Sequence, residues 1–334
     1  MLTNRAQSVL LAAIVLVQAV TGLSLATSDP LPPLLKGISA WSYSYHSNVS
    51  ELVCRFNSRP DARLQFKSFF PYAGSLEFNK KNHEASLYYH PEKISDLYAA
   101  TLPTGTLIFP IIDARADHQE FNGWTDEQYR AAAHKVADAI IQDSHAAGVQ
   151  VDIEPFAEDH LPFYKQLRTE LNAGGKYTTM FVGPKNELLL EKIFAACNIV
   201  ILSGYDLNGE NTSVEKYEKL LTSAVARVHK VAVRTQGRYM VGIPAAASWG
   251  EYEYIVDPGG LNRTESGNQQ EEYVKAACRV LGKYDATPEY LGMAIWQLSS
   301  AKTTDAPERA MKRIKMPDAI RPGIWKILES YPNT

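Results

Sequence analysis

Eight short apolar or β-branched runs, separated by longer stretches of helical period, predict an α/β protein whose strands lie parallel. Eight such units in a chain of 334 residues fit a single (β/α)8 barrel better than an open sheet. Two further observations agree. No G-x-G-x-x-G or Walker-type loop follows the first run, which argues against a nucleotide-binding doubly wound fold. No Pro/Gly/Ser-rich linker divides the chain, so one barrel domain is expected over residues 27–334.

The expected strands are, in order, Leu35 to Trp41, Leu64 to Phe70, Thr106 to Ile112, Val149 to Ile153, Tyr177 to Val182, Ile199 to Tyr205, Tyr239 to Pro244 and Leu291 to Leu298. The clearest helix runs from Thr125 to about Ala147. Thr125 and Gln128 have capping-box spacing there, and Ala131, Val136, Ile140 and Ile141 supply an apolar stripe. Further helices are expected over Leu161 to Leu171, Leu188 to Ala196, Ser213 to Val231 and Gln269 to Tyr284.

A hydrophobic content of 45% is that of an ordinary globular protein, and a formal charge of -3 gives no basic footprint for nucleic acid. A neutral or small-molecule partner is expected, bound by a monomer. Met1 to Ala26 has the layout of a secretory signal: Arg5, an apolar core from Val9 to Val17, then the small-x-small pattern Ser24-Leu25-Ala26. Gln18, Thr21, Gly22 and Ser24 interrupt the apolar run before it reaches the ~20 residues of a membrane span, so stable membrane insertion is not expected. Sequons at Asn48, Asn211 and Asn262 fit passage through a secretory pathway, either to the outside or into its lumen. Cys54, Cys197 and Cys278 are too few and too scattered for a disulfide framework, and Cys197 and Cys278 read as buried packing. No His cluster or H-E-x-x-H pattern is present, and neither metal nor cofactor is expected.

In a barrel the chemistry sits where strands end and loops begin. Strand four reads GVQVDIEP, residues 148–155. Side chains alternate along a strand, so Gln150, Asp152 and Glu154 share one face while Val149, Val151 and Ile153 take the other. D-x-E spacing also occurs where strand-end acids merely face water or cap a helix. The other strand ends carry Trp41 with Tyr43 and Tyr45 following, Asp113, Tyr205-Asp206, Trp249 and Trp296. Taken singly, a barrel Trp more often fills core and Tyr-Asp more often makes a turn. Together, acids and aromatic rings have the chemistry of a carbohydrate site, where rings stack on sugar faces and carboxylates handle the glycosidic bond.

The order of these residues resembles glycoside hydrolase family 18, the chitinases and endo-β-N-acetylglucosaminidases. That family carries D-x-x-D-x-D-x-E on strand four, M-x-Y-D on strand six and a Trp on strand eight. Asp152 and Glu154 match the end of the first motif, Gly148 the Gly that commonly follows its first Asp, Tyr205 and Asp206 the second motif, and Trp296 the third. YMVGIPAAASW looks like the family's strand-seven segment, and the resemblance spans residues 35 to about 300. The chain departs from the pattern at Ala147 and Gln150, where the family has Asp, and it lacks the strand-three Ser-x-Gly-Gly.

The resemblance implies substrate-assisted hydrolysis of N-acetylglucosamine-containing glycans such as chitin. Glu154 would be the acid, kept protonated near neutral pH by burial beside a second carboxylate. Asp152 would orient the acetamide, Tyr205 would bond its oxygen, Trp296 would stack beneath the ring, and Asp206 would contact the sugar or tune the acid. Gln150, Asp113, Trp41 and Trp249 complete the expected substrate-binding set. Gln150 can bond Asp152 but cannot share its charge. Two rivals stand beside this: a chitinase-like lectin on the same barrel that binds without turnover, and a barrel hydrolase using Asp113 and Glu154 as acid and nucleophile.

Overall fold

The computed structural model describes residues 33–34, 36–42, 66–101, 105–115, 123–205, 207, 213–245, 263–296 and 322–331. The segment Met1 to Ala26, the three sequons, Tyr43, Tyr45, Cys54, Asp206 and Trp249 lie outside the described residues.

Among the described residues, ten strands form one sheet: β1 (Ile38–Ser42), β2 (Phe66–Asn79), β3 (Glu84–Tyr89), β4 (Leu107–Ile108), β5 (Ile111–Arg115), β6 (Gly148–Glu154), β7 (Tyr177–Val182), β8 (Ile199–Ser203), β9 (Arg238–Pro244) and β10 (Tyr290–Trp296). The parallel order β1-β10-β9-β8-β7-β6-β5-β2 closes on itself because β1 also pairs with β2. This is an eight-stranded (β/α)8 barrel, and its eight strands fall where periodicity puts them. The short β4 continues the third unit below β5 and pairs with β2.

Around the barrel lie α1 (Ser95–Thr101), α2 (Asp126–Gln142), α3 (Leu161–Ala173), α4 (Glu187–Phe194), α5 (Val214–Thr235), α6 (Arg263–Leu281) and α7 (Pro322–Ser330). Three of the helix starts carry side-chain caps. Thr125 and Gln128 form the anticipated reciprocal box on α2, Asn186 accepts from the N–H of Leu189 on α4, and Ser213 accepts from that of Lys216 on α5. The α2 helix stops at Gln142, short of Ala147, because Asp143 leaves helical geometry and turns its side chain to its own backbone at His145.

Two packed regions result. Outward residues such as Val149, Val151 and Ile153 of β6 meet Val136 and Ile140 of α2 and Leu167 of α3, all buried. Inside the barrel lie Trp41, Phe70, Phe109, Ile111, Ile201 and Met240. Burying each such side chain stabilises by ~1.5–3 kcal/mol. Cys197 belongs to the outer region, where burial pushes its thiol up to about 12, and both Cys197 and Cys278 are free.

One element departs from the expected pattern. The second strand does not stop at Phe70 but runs on to Asn79 and returns as the antiparallel β3. Pro71 falls on the last pair of the β1 ladder. At Gly74 any Cβ would lie 2.0 Å from the carbonyl oxygen of Tyr88, so glycine is what lets β3 approach. Among the described residues no helix is long and apolar enough to cross a membrane.

Candidate active site

The inward face of β6 carries Gln150, Asp152 and Glu154 in rising order toward the strand's C-terminal end. Gln150 and Asp152 are buried, while Glu154 is half-buried at the rim. β5 runs beside it in register, pairing Asp113 with Asp152 and Arg115 with Glu154. In-register residues on neighbouring strands share a face about 4.8 Å apart, so Asp113 and Asp152 stand side by side in the opening. The hydroxyl of Tyr72 on β2 donates to Oδ1 of Asp113 at 3.2 Å.

At the base of this column Gln150 is engaged elsewhere. Its Oε1 accepts from the indole N–H of Trp41 at 3.0 Å, and both side chains are 1% exposed. Trp41 and Gln150 are therefore buried against each other at this level of the barrel. The N–H of Trp41 gives the buried amide oxygen the partner it needs.

Tyr205 follows β8, two strands from β6, and Trp296 ends β10, opposite β6 in the barrel order. Their rings stack with centroids 5.0 Å apart and planes 19° from parallel. Phe181 of β7 stacks on Tyr205 in turn, at 5.8 Å and 15°. Trp41 meets Trp296 and Tyr205 with T-shaped geometry at 5.8 and 6.2 Å. One face of Trp296 is thus covered by Tyr205. Gly242 of β9 makes this packing possible, since a Cβ there would sit 3.0 Å from the Tyr205 ring and 3.1 Å from Trp41.

Behind the carboxylates a further residue holds the strand. β6 pairs with β7 only from Gly148 to Gln150. Beyond that point the carbonyl of Val151 and the N–H of Ile153 lose strand partners. The hydroxyl of Tyr164, on α3, donates to Val151 O at 2.7 Å and accepts from Ile153 N at 3.4 Å. Burial raises the Tyr164 phenol well above its ordinary range, and the negative charge of Asp152 adds to that, so the hydroxyl keeps its proton.

The structure therefore brings Asp113, Gln150, Asp152, Glu154, Trp41, Tyr205 and Trp296 to one end of the barrel. Tyr72, Tyr164, Phe181 and Gly242 were not singled out by sequence. Phe181 was accessible through strand alternation, since Tyr177, Thr179 and Phe181 share the inward face. Tyr164 was not, because its role depends on where two strands part.

No protein-family model matches the sequence, and no curated protein does. Solved structures do. A class V chitinase from Pseudomonas fluorescens Pf-5 aligns over 88% of this chain and 99% of its own, with a TM-score of 0.58 and 12% identity. A GH113 β-1,4-mannanase aligns over 90% and 99%, at 0.57 and 11%. A β-glucuronidase from Ruminococcus gnavus aligns over 90% of this chain and 51% of its own, at 0.56 and 13%. At such identity the likeness establishes the barrel.

Proposed function

We propose that this protein is a glycoside hydrolase that cleaves β-glycosidic bonds in N-acetylglucosamine-containing glycans, with the family 18 mechanism. The observation that carries this is the column of Asp152 and Glu154 at the C-terminal end of β6, in a barrel whose β8 and β10 ends carry the stacked rings of Tyr205 and Trp296. The solved neighbours are named as glycosidases of several specificities, which supports the reaction class.

In this reading Glu154, at the rim, gives its proton to the glycosidic oxygen as the bond to the anomeric carbon breaks. The oxygen of the sugar's own 2-acetamido group forms the new bond to that carbon. Asp152 accepts the acetamide N–H and stabilises the positive oxazolinium, while the Tyr205 hydroxyl bonds the acetamide oxygen and Trp296 supports the ring. Glu154, now a carboxylate, takes a proton from water, which opens the oxazolinium with net retention. Asp206 and Trp249 are assigned to sugar contacts by sequence position alone. The signal-like N-terminus assigns the protein to the secretory route.

Incubation with a fluorogenic chitobioside and with a high-mannose glycoprotein tests the proposal. Release of fluorophore or of glycan by the wild type, lost by ~10²–10⁴-fold in Glu154→Gln, is the expected result. Sugar binding without turnover by the wild type would make the protein a lectin instead.

A further inference from the structure

The β2–β3 hairpin extends the site wall. Register carries one row of residues across four strands: Asp152 on β6 opposes Asp113 on β5, which opposes Ser75 on β2, which opposes Tyr88 on β3. In-register residues share a face, so Tyr88 points to the same side of the sheet as Asp152. The next row above pairs Glu77 with Ser86 on that same side.

Burial confirms the orientation. Leu76 and Ala85, on the opposite side of the hairpin, are buried, and Phe78, Leu87 and Tyr89 pack against the outer core there. The side shared with Asp152 is open, with Glu77 and Ser86 exposed and Tyr88 49% exposed. The hairpin is also held firmly. Lys135 of α2 donates to the carbonyl of Ala85 at 2.7 Å, Tyr89 to Asp143 at 2.6 Å, and Phe78 packs edge-on against Trp124 at 5.7 Å.

We propose that this hairpin face, centred on Tyr88 with Ser75, Glu77 and Ser86 around it, is a remote sugar subsite that binds the glycan beyond the cleaved bond. This rests on the function proposed above and adds that the substrate is an extended chain. Three strand spacings separate Tyr88 from Asp152, about 14 Å along the sheet, so one pyranose ring cannot touch both. The chemistry suits a neutral polyhydroxylated ring: an exposed aromatic face for its C–H side, and hydroxyl and carboxylate acceptors and donors for its edge. Because the hairpin is fixed to the scaffold, the face is preorganised and little ordering entropy opposes binding.

The test compares kcat/KM for N-acetylchitohexaose with that for a fluorogenic chitobioside in the wild type, Tyr88→Ala and Tyr88→Phe. The ratio of long to short substrate is expected to fall roughly 3- to 10-fold in Tyr88→Ala, as loss of one stacking contact implies, and to be kept in Tyr88→Phe. In a Glu154→Gln background, calorimetry should show Tyr88→Ala weakening hexaose binding more than biose binding. An unchanged ratio and unchanged relative affinities would overturn the subsite. A wild type that neither turns over nor binds either sugar would instead overturn the proposed function, and the sugar assignment of this face with it.

Discussion

The hydroxyl of Tyr164 lies 2.7 Å from the carbonyl oxygen of Val151, in the place a β7 backbone would occupy if the two strands stayed paired. It brackets Asp152 from behind, bonding the residues on either side of it. Tyr164→Phe removes this bridge and leaves a buried carbonyl and N–H without it, at a cost of ~1–3 kcal/mol. Urea unfolding should show that loss, and kcat should fall because the backbone carrying Asp152 is no longer pinned. Unchanged stability with unchanged kcat would contradict the bridging role.

Trp41 and Gln150 make the corresponding bond on the inner side. Trp41→Phe leaves the buried Gln150 oxygen without its donor and should cost ~1–3 kcal/mol in unfolding free energy. Gln150→Asp restores an acid next to Asp152 in the strand column. It should shift the pH–rate profile without abolishing turnover, since a new charge beside Asp152 and Glu154 changes their proton affinity. A superimposable profile would show that position 150 is electrically remote from the chemistry.

Gly242 is the space in which Tyr205 and Trp41 meet. The Cβ of Gly242→Ala would press on both rings, which must move by a few tenths of an ångström; overpacking of this kind costs ~1–3 kcal/mol. Activity on the chitobioside should fall with the altered Tyr205 position. Full activity in a folded variant would mean the ring stack tolerates displacement.

At the opposite end of the barrel Asp143 contributes to stability in a pH-dependent way. Burial pushes its carboxyl up, but hydrogen bonds from Tyr89, Tyr98 and the N–H groups of His145 and Ala146 outweigh this and hold it below its ordinary value. A depressed folded pKa contributes stability that is complete above the unfolded value of about 3.9 and is lost as pH falls through the folded one. Wild type should therefore exceed Asp143→Asn in urea midpoint at neutral pH, with the gap closing below about pH 4. A gap that widens in acid would reverse the sign of this assignment.

Periodicity placed all eight barrel strands because their apolar runs are short and separated by longer stretches of helical period. It also aligned Gln150, Asp152 and Glu154, since alternation in a strand depends on nothing but local geometry. What it missed depends on contacts between distant segments. The β2–β3 hairpin hides behind Pro71 and Gly74, whose meaning changes once β1 ends and Tyr88 approaches. The bond between Trp41 and Gln150 joins residues 109 positions apart. Both are expected from sequence to contact sugar, and their burial against each other is visible only in the packing.

The central claim is that the nucleophile belongs to the substrate, and the most direct measurement compares one leaving group on two sugars. Fluorogenic β-glycosides of chitobiose and cellobiose differ at the 2-position, so only the first carries the attacking acetamide oxygen. Substrate assistance predicts turnover of the chitobioside, inhibition by a thiazoline analogue of the cyclised intermediate, severe loss in Asp152→Ala, and no turnover of the cellobioside. Equal rates on the two substrates would contradict it, even in a protein that proved to be a hydrolase.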